Sequence, residues 1–155
     1  MSLALPDLLK EQQVVLNLAA RDQQGALREI TATLARSGHV HDLAAFECEL
    51  LAREKLQSTA TSNGVAFPHA RTDLVDEIVL AIGRSEGGIV FEPNARVHLI
   101  FVIGTPRRLV SDYLVCIGTL ARLLREDALR VALMQAETAA EMIALLKDAA
   151  VARTL

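Results

Sequence analysis

Apolar and polar positions along the first part of the chain predict one short strand followed by two helices. Residues 13–19 are a run of apolar and β-branched side chains that is too short for a useful helix, which favours a strand. Asp22 can cap the helix that follows, and Gly38 provides its C-terminal stop. The side chains that recur every four residues on its apolar face are Ala26, Ile30 and Leu34.

A second helix is predicted behind Asp42, whose carboxylate can cap the first turn. Its apolar face contains Leu43, Phe46 and Leu50, and its polar face contains Glu47, Glu49, Arg53 and Glu54. Two helices are therefore expected before the next strand.

The segment after the second helix combines a polar turn with a short strand. Residues 58–64 are small and polar and end in Asn-Gly, a pair that readily adopts positive φ and makes a tight turn. Residues 65–67 are apolar, and Pro68 cannot donate to a sheet, so we expect the strand to end there. His69 would then stand at the exit of that strand.

Two further strands are predicted at residues 77–83 and 97–103. The first is expected to be followed by a turn around Gly87 and Gly88, and the second by a turn at Gly104. Because residues 97–103 are almost entirely apolar, we expect this strand in the middle of a sheet that is covered on both faces.

The last third of the chain repeats its apolar residues with a helical period. The first stripe contains Val110, Leu114, Ile117, Ala121 and Leu124, and residues 128–134 continue as a short helix. Thr138 and Glu141 form a capping box for a final helix. The predicted order is one strand, two helices, three strands and three helices.

Length and composition favour a single domain over residues 1–155. A chain of 155 residues that is 52% hydrophobic and 23% charged has enough apolar side chains for one sizeable core. Aromatic residues make up only 3%, so the core must consist of Leu, Val, Ile and Ala. Such a core suits helices packed on a buried sheet, which favours the α/β class.

Charge, apolar run length and cysteine usage exclude several classes of protein. The net charge of -3 and the lack of a basic stripe disfavour nucleic-acid binding. No basic segment precedes an apolar run at the start, and no apolar run could span a bilayer, so we expect no membrane insertion and a cytoplasmic location. Cys48 and Cys116 make no CxxC site and are expected to be buried.

Common nucleotide and metal motifs are also missing from the sequence. It contains no GxxxxGK[ST] loop, no GxGxxG and no HExxH, so a nucleotide or metal mechanism of these kinds is excluded. His39 and His41 are interpreted as surface residues, and His98 as a core or rim residue.

The region from Arg53 to Arg71 gathers around His69 the groups that a phosphohistidine site needs. An imidazole with an unperturbed pKa near ~6.5 keeps a nucleophilic nitrogen at neutral pH. Phosphoryl transfer places charge on three equatorial oxygens, so the protein mainly supplies donors, for which Ser58, Thr59, Arg53 and Arg71 are candidates. On composition and periodicity alone, a plain loop tip with solvated charges is the favoured interpretation.

The same stretch resembles the signature of the fructose/mannitol class of enzyme IIA of the bacterial phosphotransferase system. The matching residues are Arg53, Glu54, Ser58, Thr59, Asn63, Gly64, Ala66, Pro68 and His69. The resemblance covers nearly the whole chain. It implies an α/β three-layer sandwich, in which a mixed, mostly parallel β-sheet is flanked by helices on both faces.

The resemblance also implies that His69 receives its phosphoryl group from a histidine-containing phosphocarrier protein, without a metal or organic cofactor. Family members commonly carry a second histidine where this chain has Tyr113. A tyrosine hydroxyl can donate one hydrogen bond to a phosphoryl oxygen, but it carries no positive charge near neutral pH. Simple packing beside the helix stripe is the alternative role of Tyr113.

Three functions remain open at this point. The preferred one is a regulatory enzyme IIA of the nitrogen type, whose phosphorylation alters binding to a regulated target protein. We expect a free-standing single domain, which is compatible with both this role and the second, a phosphoryl donor to enzyme IIB in sugar uptake, but favours regulation. The third is a protein-binding module in which transfer is impaired because Tyr113 replaces the second histidine.

Overall fold

A mixed sheet with helices on both faces forms the body of the protein. The computed structural model describes residues 4–91 and 93–154. The strands are β1 (Val14–Val15), β2 (Val65–Ala66), β3 (His69–Arg71), β4 (Val79–Phe91) and β5 (Ala95–Thr105). The helices are α1 (Leu5–Leu8), α2 (Gln23–Ala32), α3 (Leu43–Leu56), α4 (Val110–Leu123), α5 (Asp127–Gln135) and α6 (Ala139–Thr154).

The strand order places β5 next to both short strands that flank His69. The order is β1-β4-β5-β2, and β3 also pairs with β5. Among the described strands, β4 and β5 are antiparallel, whereas the other three pairings are parallel. This confirms the predicted α/β fold with a mixed, mostly parallel sheet and the predicted central position of the apolar strand.

Each face of the sheet is covered by its own apolar cluster. On one face α2 and α3 pack on β4 and β5, with Phe46, Leu50 and Val102 fully buried. On the other face α1, α4, α5 and α6 pack on the same strands, around Phe101 and Leu120. The sheet is therefore the middle layer of a three-layer structure.

Local capping signals predicted the helix starts correctly. The Asp22 carboxylate accepts from the Gly25 N–H at 2.8 Å, and the Asp42 carboxylate accepts from the Ala45 N–H at 3.0 Å. At α6, Thr138 Oγ1 accepts from the Glu141 N–H at 3.0 Å. These contacts lie within one turn of chain, which is why the sequence pattern was sufficient.

Two strand predictions were wrong in extent. The strand expected over 13–19 is only Val14–Val15, which is preceded by a 3₁₀ turn. The strand expected over 77–83 is β4, which does not end in a turn at Gly88 but continues to Phe91. Its pairing with β5 is irregular between Arg84 and Ile89, where the two glycines lie. Gly88 has a φ of 89°, so the local signal for positive φ was real but marks a bulge in a paired strand.

His69 does not stand at the free exit of a strand. Pro68 interrupts the edge of the sheet, and His69 begins β3, where it pairs with Ile103 of β5. The Pro68 carbonyl accepts from the Ile103 N–H at 2.9 Å, so β5 holds the backbone on both sides of the break.

The C-terminal helices were predicted in the right order, while α1 was not anticipated. The segment predicted at 128–134 is α5. None of the helices in the described part of the chain is long and apolar enough to cross a bilayer.

Candidate active site

His69 lies where the end of α3 and the first turns of α4 meet the edge of the sheet. Its imidazole is partly buried, and it lines a cleft of about 440 Å³ together with side chains from the last turns of α3. The lining residues are Glu49, Ala52, Arg53, Leu56, His69, Ala70 and Arg71. One face of this imidazole is therefore reachable from solvent through an open cleft.

A backbone carbonyl determines which nitrogen of His69 is free. Nδ1 of His69 lies 2.9 Å from the Phe67 carbonyl oxygen. A carbonyl oxygen can only accept, so Nδ1 must carry the proton and Nε2 keeps its lone pair.

The surroundings also favour the neutral imidazole. Burial is the main cause that lowers the pKa of His69 below its ordinary value, and the positive charges of Arg53 and Arg71 act in the same direction. The bond to Phe67 and the charge of Glu54 oppose this shift in pKa without reversing it. Near neutral pH the site therefore presents an uncharged imidazole with one nucleophilic nitrogen.

Behind His69, a buried carboxylate organises the turn that leads to β2. Glu54 was assigned to the polar face of α3, but only 7% of it is exposed. Its carboxylate accepts from both the N–H and the hydroxyl of Thr59, and Thr59 Oγ1 accepts from the Phe67 N–H at 3.1 Å. The polar face of α3 is therefore not fully exposed, because the loop that carries Thr59 covers the carboxylate of Glu54.

The two arginines of the site, Arg53 and Arg71, differ in their hydrogen bonds and exposure. Arg53 Nη1 donates to the Gln57 carbonyl at 2.7 Å, which leaves its other N–H groups for a ligand in the cleft. Arg71 is exposed, and it also lines a second cleft of about 400 Å³ with Arg107 and Val110. Two guanidinium groups thus border His69, whereas the guanidinium of Arg107 in the second cleft lies 3.3 Å from the Asp73 carboxylate.

The hydroxyl candidates have separate positions. Thr59 lies behind the cleft, and its hydroxyl hydrogen is directed at Glu54. Ser58 Oγ accepts from the Ala60 N–H at 3.2 Å and lines an adjacent cleft that it shares with Glu54 and Gln57. Tyr113, from the first turns of α4, contacts the His69 ring.

The structure thus brings four of the sequence candidates, His69, Arg53, Arg71 and Tyr113, directly together. Thr59 is linked to His69 through Phe67, whereas Ser58 faces the neighbouring cleft. From the sequence, Glu54 was matched to the family signature without being given a role, and the Phe67 carbonyl was not identified. A carboxylate in the last turn of a helix, five residues before a threonine in a tight loop, is the signal that could have indicated this arrangement.

Histidines elsewhere form no comparable site. His39 Nδ1 lies 2.7 Å from the Asp76 carboxylate on the surface. Across the described residues, no cluster of three or more His, Cys, Asp or Glu side chains has metal-binding geometry.

Comparisons with known proteins identify relatives along almost the entire chain. Residues 7–149 match the family model described as phosphoenolpyruvate-dependent sugar phosphotransferase system, EIIA 2. A nitrogen regulatory protein from Bradyrhizobium diazoefficiens is 32% identical over 125 residues, which cover 79% of this chain and 81% of that protein.

Two further relatives extend this comparison. The fructose-specific EIIABC component from Bacillus subtilis is 29% identical over 136 residues; the match covers 86% of this chain but only 21% of that larger protein. The crystal structure of the nitrogen regulatory protein IIA-Ntr from Neisseria meningitidis superposes with a TM-score of 0.79 at 27% identity, covering 91% of this chain and 97% of that one. The resemblance inferred from the residues around His69 is confirmed, and the chain belongs to the EIIA 2 family of the phosphoenolpyruvate-dependent sugar phosphotransferase system.

Proposed function

We propose that the protein accepts a phosphoryl group on Nε2 of His69 from a histidine-containing phosphocarrier protein. The observation that carries the proposal is the bond from His69 Nδ1–H to the Phe67 carbonyl, which leaves Nε2 unprotonated at the cleft. The lowered pKa of His69 supports it, because the imidazole remains neutral and nucleophilic at neutral pH.

In the proposed step the Nε2 lone pair of His69 attacks phosphorus in line with the donor imidazole. The P–N bond of the donor breaks, and its electron pair remains on the donor nitrogen. Nδ1 of His69 keeps its proton, so the product carries phosphorus on Nε2 and hydrogen on Nδ1. The Phe67 carbonyl stabilises the positive charge that develops on this ring, because it accepts from the N–H that becomes more acidic.

Arg53 and Arg71 are proposed to neutralise the phosphoryl oxygens. Both border the cleft at His69: the guanidinium of Arg53 would bind phosphoryl oxygens with directed, charge-assisted hydrogen bonds, and the exposed Arg71 would mainly add positive charge. Tyr113 is proposed to add a neutral donor from α4. Thr59 contributes from the loop through its bond to Glu54, whereas Ser58, whose Oγ accepts from the Ala60 N–H, lines the neighbouring cleft.

A regulatory phosphoswitch of the nitrogen type is the cellular role that we propose. The support is the match of this chain to nitrogen regulatory proteins over most of the length of both partners. In this role the protein acts in the cytoplasm, and the phosphorylation state of His69 controls binding to a regulated target protein.

Donation to an enzyme IIB in sugar uptake is the second candidate. It is favoured by the match to the fructose-specific component of Bacillus subtilis, of which this chain covers about a fifth. The two roles differ in the fate of the phosphoryl group. A cysteine of an enzyme IIB would remove it from His69, whereas a regulated target would bind one state of the protein and leave the group in place.

The proposal is tested by labelling with phosphoenolpyruvate, enzyme I and a phosphocarrier protein. We expect one phosphoryl group per wild-type chain and none in His69→Ala. His98→Ala is the matched control, because Nδ1 of His98 also bonds to a backbone carbonyl, at 3.0 Å from Ser85 O, yet it lies outside the cleft. Undiminished labelling of His69→Ala would overturn the assignment. A wild type that several phosphocarriers leave unlabelled would instead support the impaired binding module.

A further inference from the structure

The buried carboxylate of Glu54 is connected to His69 by consecutive hydrogen bonds. Glu54 lies in the last turn of α3 with 7% of its surface exposed. Both of its carboxylate oxygens lie 3.2 Å from the Thr59 backbone nitrogen, and one also accepts the Thr59 hydroxyl hydrogen. An ionised carboxylate can only accept, so it dictates the direction of every bond that it makes.

The direction of the first bond determines the direction of the second. The Thr59 hydroxyl has one hydrogen, and this hydrogen is used by Glu54. The oxygen lone pairs of Thr59 are therefore turned to the Phe67 N–H, which donates to them at 3.1 Å. Phe67 is thus held on its N–H side by Thr59, while its carbonyl accepts from Nδ1 of His69 at 2.9 Å.

The position of Glu54 is energetically unfavourable for a charged carboxylate. A negative charge at the C-terminal end of a helix meets the negative end of the helix dipole, and burial adds a desolvation cost. The hydrogen bonds to Thr59 offset part of that cost. The loop that contains Thr59 also positions the Phe67 carbonyl, which accepts from His69. The buried charge of Glu54 is thereby connected to the imidazole.

We propose that Glu54 is a positioning residue that selects the Nδ1–H tautomer of His69 through Thr59 and Phe67. The proposal rests on the proposed function of His69 and explains how its Nε2 is kept free for attack. It assigns Thr59 primarily to this chain of bonds, with any contact to the phosphoryl group secondary. In this proposal Glu54 acts by holding the Phe67 carbonyl in place to accept from Nδ1 of His69.

The test compares two variants that each break one link with two that keep the chain of bonds intact. Glu54→Gln replaces one acceptor oxygen by an NH₂ donor, which competes with the Thr59 hydroxyl. Thr59→Val removes the hydroxyl but keeps the branched shape, and Thr59→Ser restores the hydroxyl. Glu29→Gln is the matched control, because the Glu29 carboxylate also accepts backbone N–H groups, at 3.0 Å from both Ala19 and Ala20, without any contact to the loop at His69.

Two readouts separate positioning from general stability. The ¹⁵N chemical shifts of the His69 ring report which nitrogen carries the proton, and rapid-quench phosphorylation reports the rate of uptake. We expect Glu54→Gln and Thr59→Val to raise the Nε2–H fraction and to slow uptake about 10- to 100-fold, the range typical for loss of a partner that orients a functional histidine. Thr59→Ser should recover most of the tautomer preference and of the uptake rate that Thr59→Val loses, and Glu29→Gln should keep the wild-type tautomer and rate.

The outcomes are separable. If Glu54→Gln does not fold, the comparison of Thr59→Val with Thr59→Ser decides alone. Unchanged ring shifts and unchanged rates in folded Glu54→Gln or Thr59→Val would overturn the positioning role and leave phosphorylation of His69 standing. The ring shifts need no phosphoryl donor, so they test the chain of bonds even if labelling shows that His69 is not the acceptor.

Discussion

The ring of Tyr113 lies against the imidazole of His69, with ring centroids 5.9 Å apart and the planes inclined by 40°. Tyr113 is only 4% exposed. Burial raises its pKa to about 12, against the opposing effect of Arg71 and Arg53. At physiological pH Tyr113 is therefore a neutral group beside His69 and contributes packing and a hydroxyl, without a charge.

This neutrality can be tested with two substitutions at Tyr113. We expect Tyr113→Phe to slow phosphoryl uptake about 2- to 10-fold, which corresponds to the loss of one neutral hydrogen bond. Tyr113→His should accelerate uptake at slightly acid pH, because an imidazolium adds a positive charge near the phosphoryl oxygens. Rapid-quench measurements with a phosphocarrier protein would show both effects. Rates equal to the wild type in both variants would assign Tyr113 to packing alone.

The pH dependence of uptake should follow the lowered pKa of His69. Neutral imidazole is the reactive form, so the uptake rate should stay constant as the pH falls to about 6.5, the value for an unperturbed histidine, and decline only below it. A rate profile of the wild type, with the donor kept in excess at each pH, measures this. A midpoint above the ordinary histidine value would contradict the direction of the shift.

The lowered pKa of His69 should also make the free energy of unfolding depend on pH. Because the folded-state pKa of His69 lies below the unfolded value, the unfolded chain binds more protons between the two pKa values. The contribution of His69 to the free energy of unfolding therefore falls as the pH drops below about 6.5 and levels off below the folded-state pKa. Urea unfolding of wild type and His69→Ala across this range should show the difference.

Arg53 and Arg71 should respond differently to replacement by lysine. Arg53 uses one nitrogen for the Gln57 carbonyl and has further N–H groups for the phosphoryl group, a division that a lysine cannot reproduce. We expect Arg53→Lys to slow uptake about 10-fold or more, in line with loss of a charge-assisted hydrogen bond. The exposed Arg71 supplies mainly charge, so Arg71→Lys should stay close to wild type. Equal losses in the two variants would contradict this distinction.

Arg84 is expected to matter for stability and not for phosphoryl transfer. Arg84 is 8% exposed, and its guanidinium donates to the carbonyls of Leu16 at 2.9 Å, Leu133 at 3.0 Å and Ala136 at 2.6 Å. Arg84→Met removes these three donated bonds, and although the Leu133 carbonyl still accepts from the Ala136 N–H at 3.4 Å, the loss should reduce the free energy of unfolding by about 3 kcal/mol. The exposed Arg125→Ala is the control and should change it by less than about 0.5 kcal/mol. Both folded variants should be labelled at the wild-type rate.

Sequence patterns predicted those features whose stabilising contacts are local. Asp22 and Asp42 cap helices within one turn, and the residues that flank His69 lie in one continuous motif. Gly88 was misjudged because its positive φ is compatible with a turn or a bulge, and only the register of β4 against β5, which pairs Ile89 with Val97, decides between them. The burial of Glu54 was not predicted either, since it depends on the path of the following loop.

Pro68 limits the edge of the sheet to two very short strands. Because proline has no N–H, β2 and β3 remain segments of two and three residues beside the long strand β5. Long, regular edge strands act as templates for pairing with other chains, and prolines in them block this association. The residue that separates Phe67 from His69 therefore also breaks the edge in the way that discourages pairing with other chains, directly beside the imidazole that we propose as the phosphoryl acceptor.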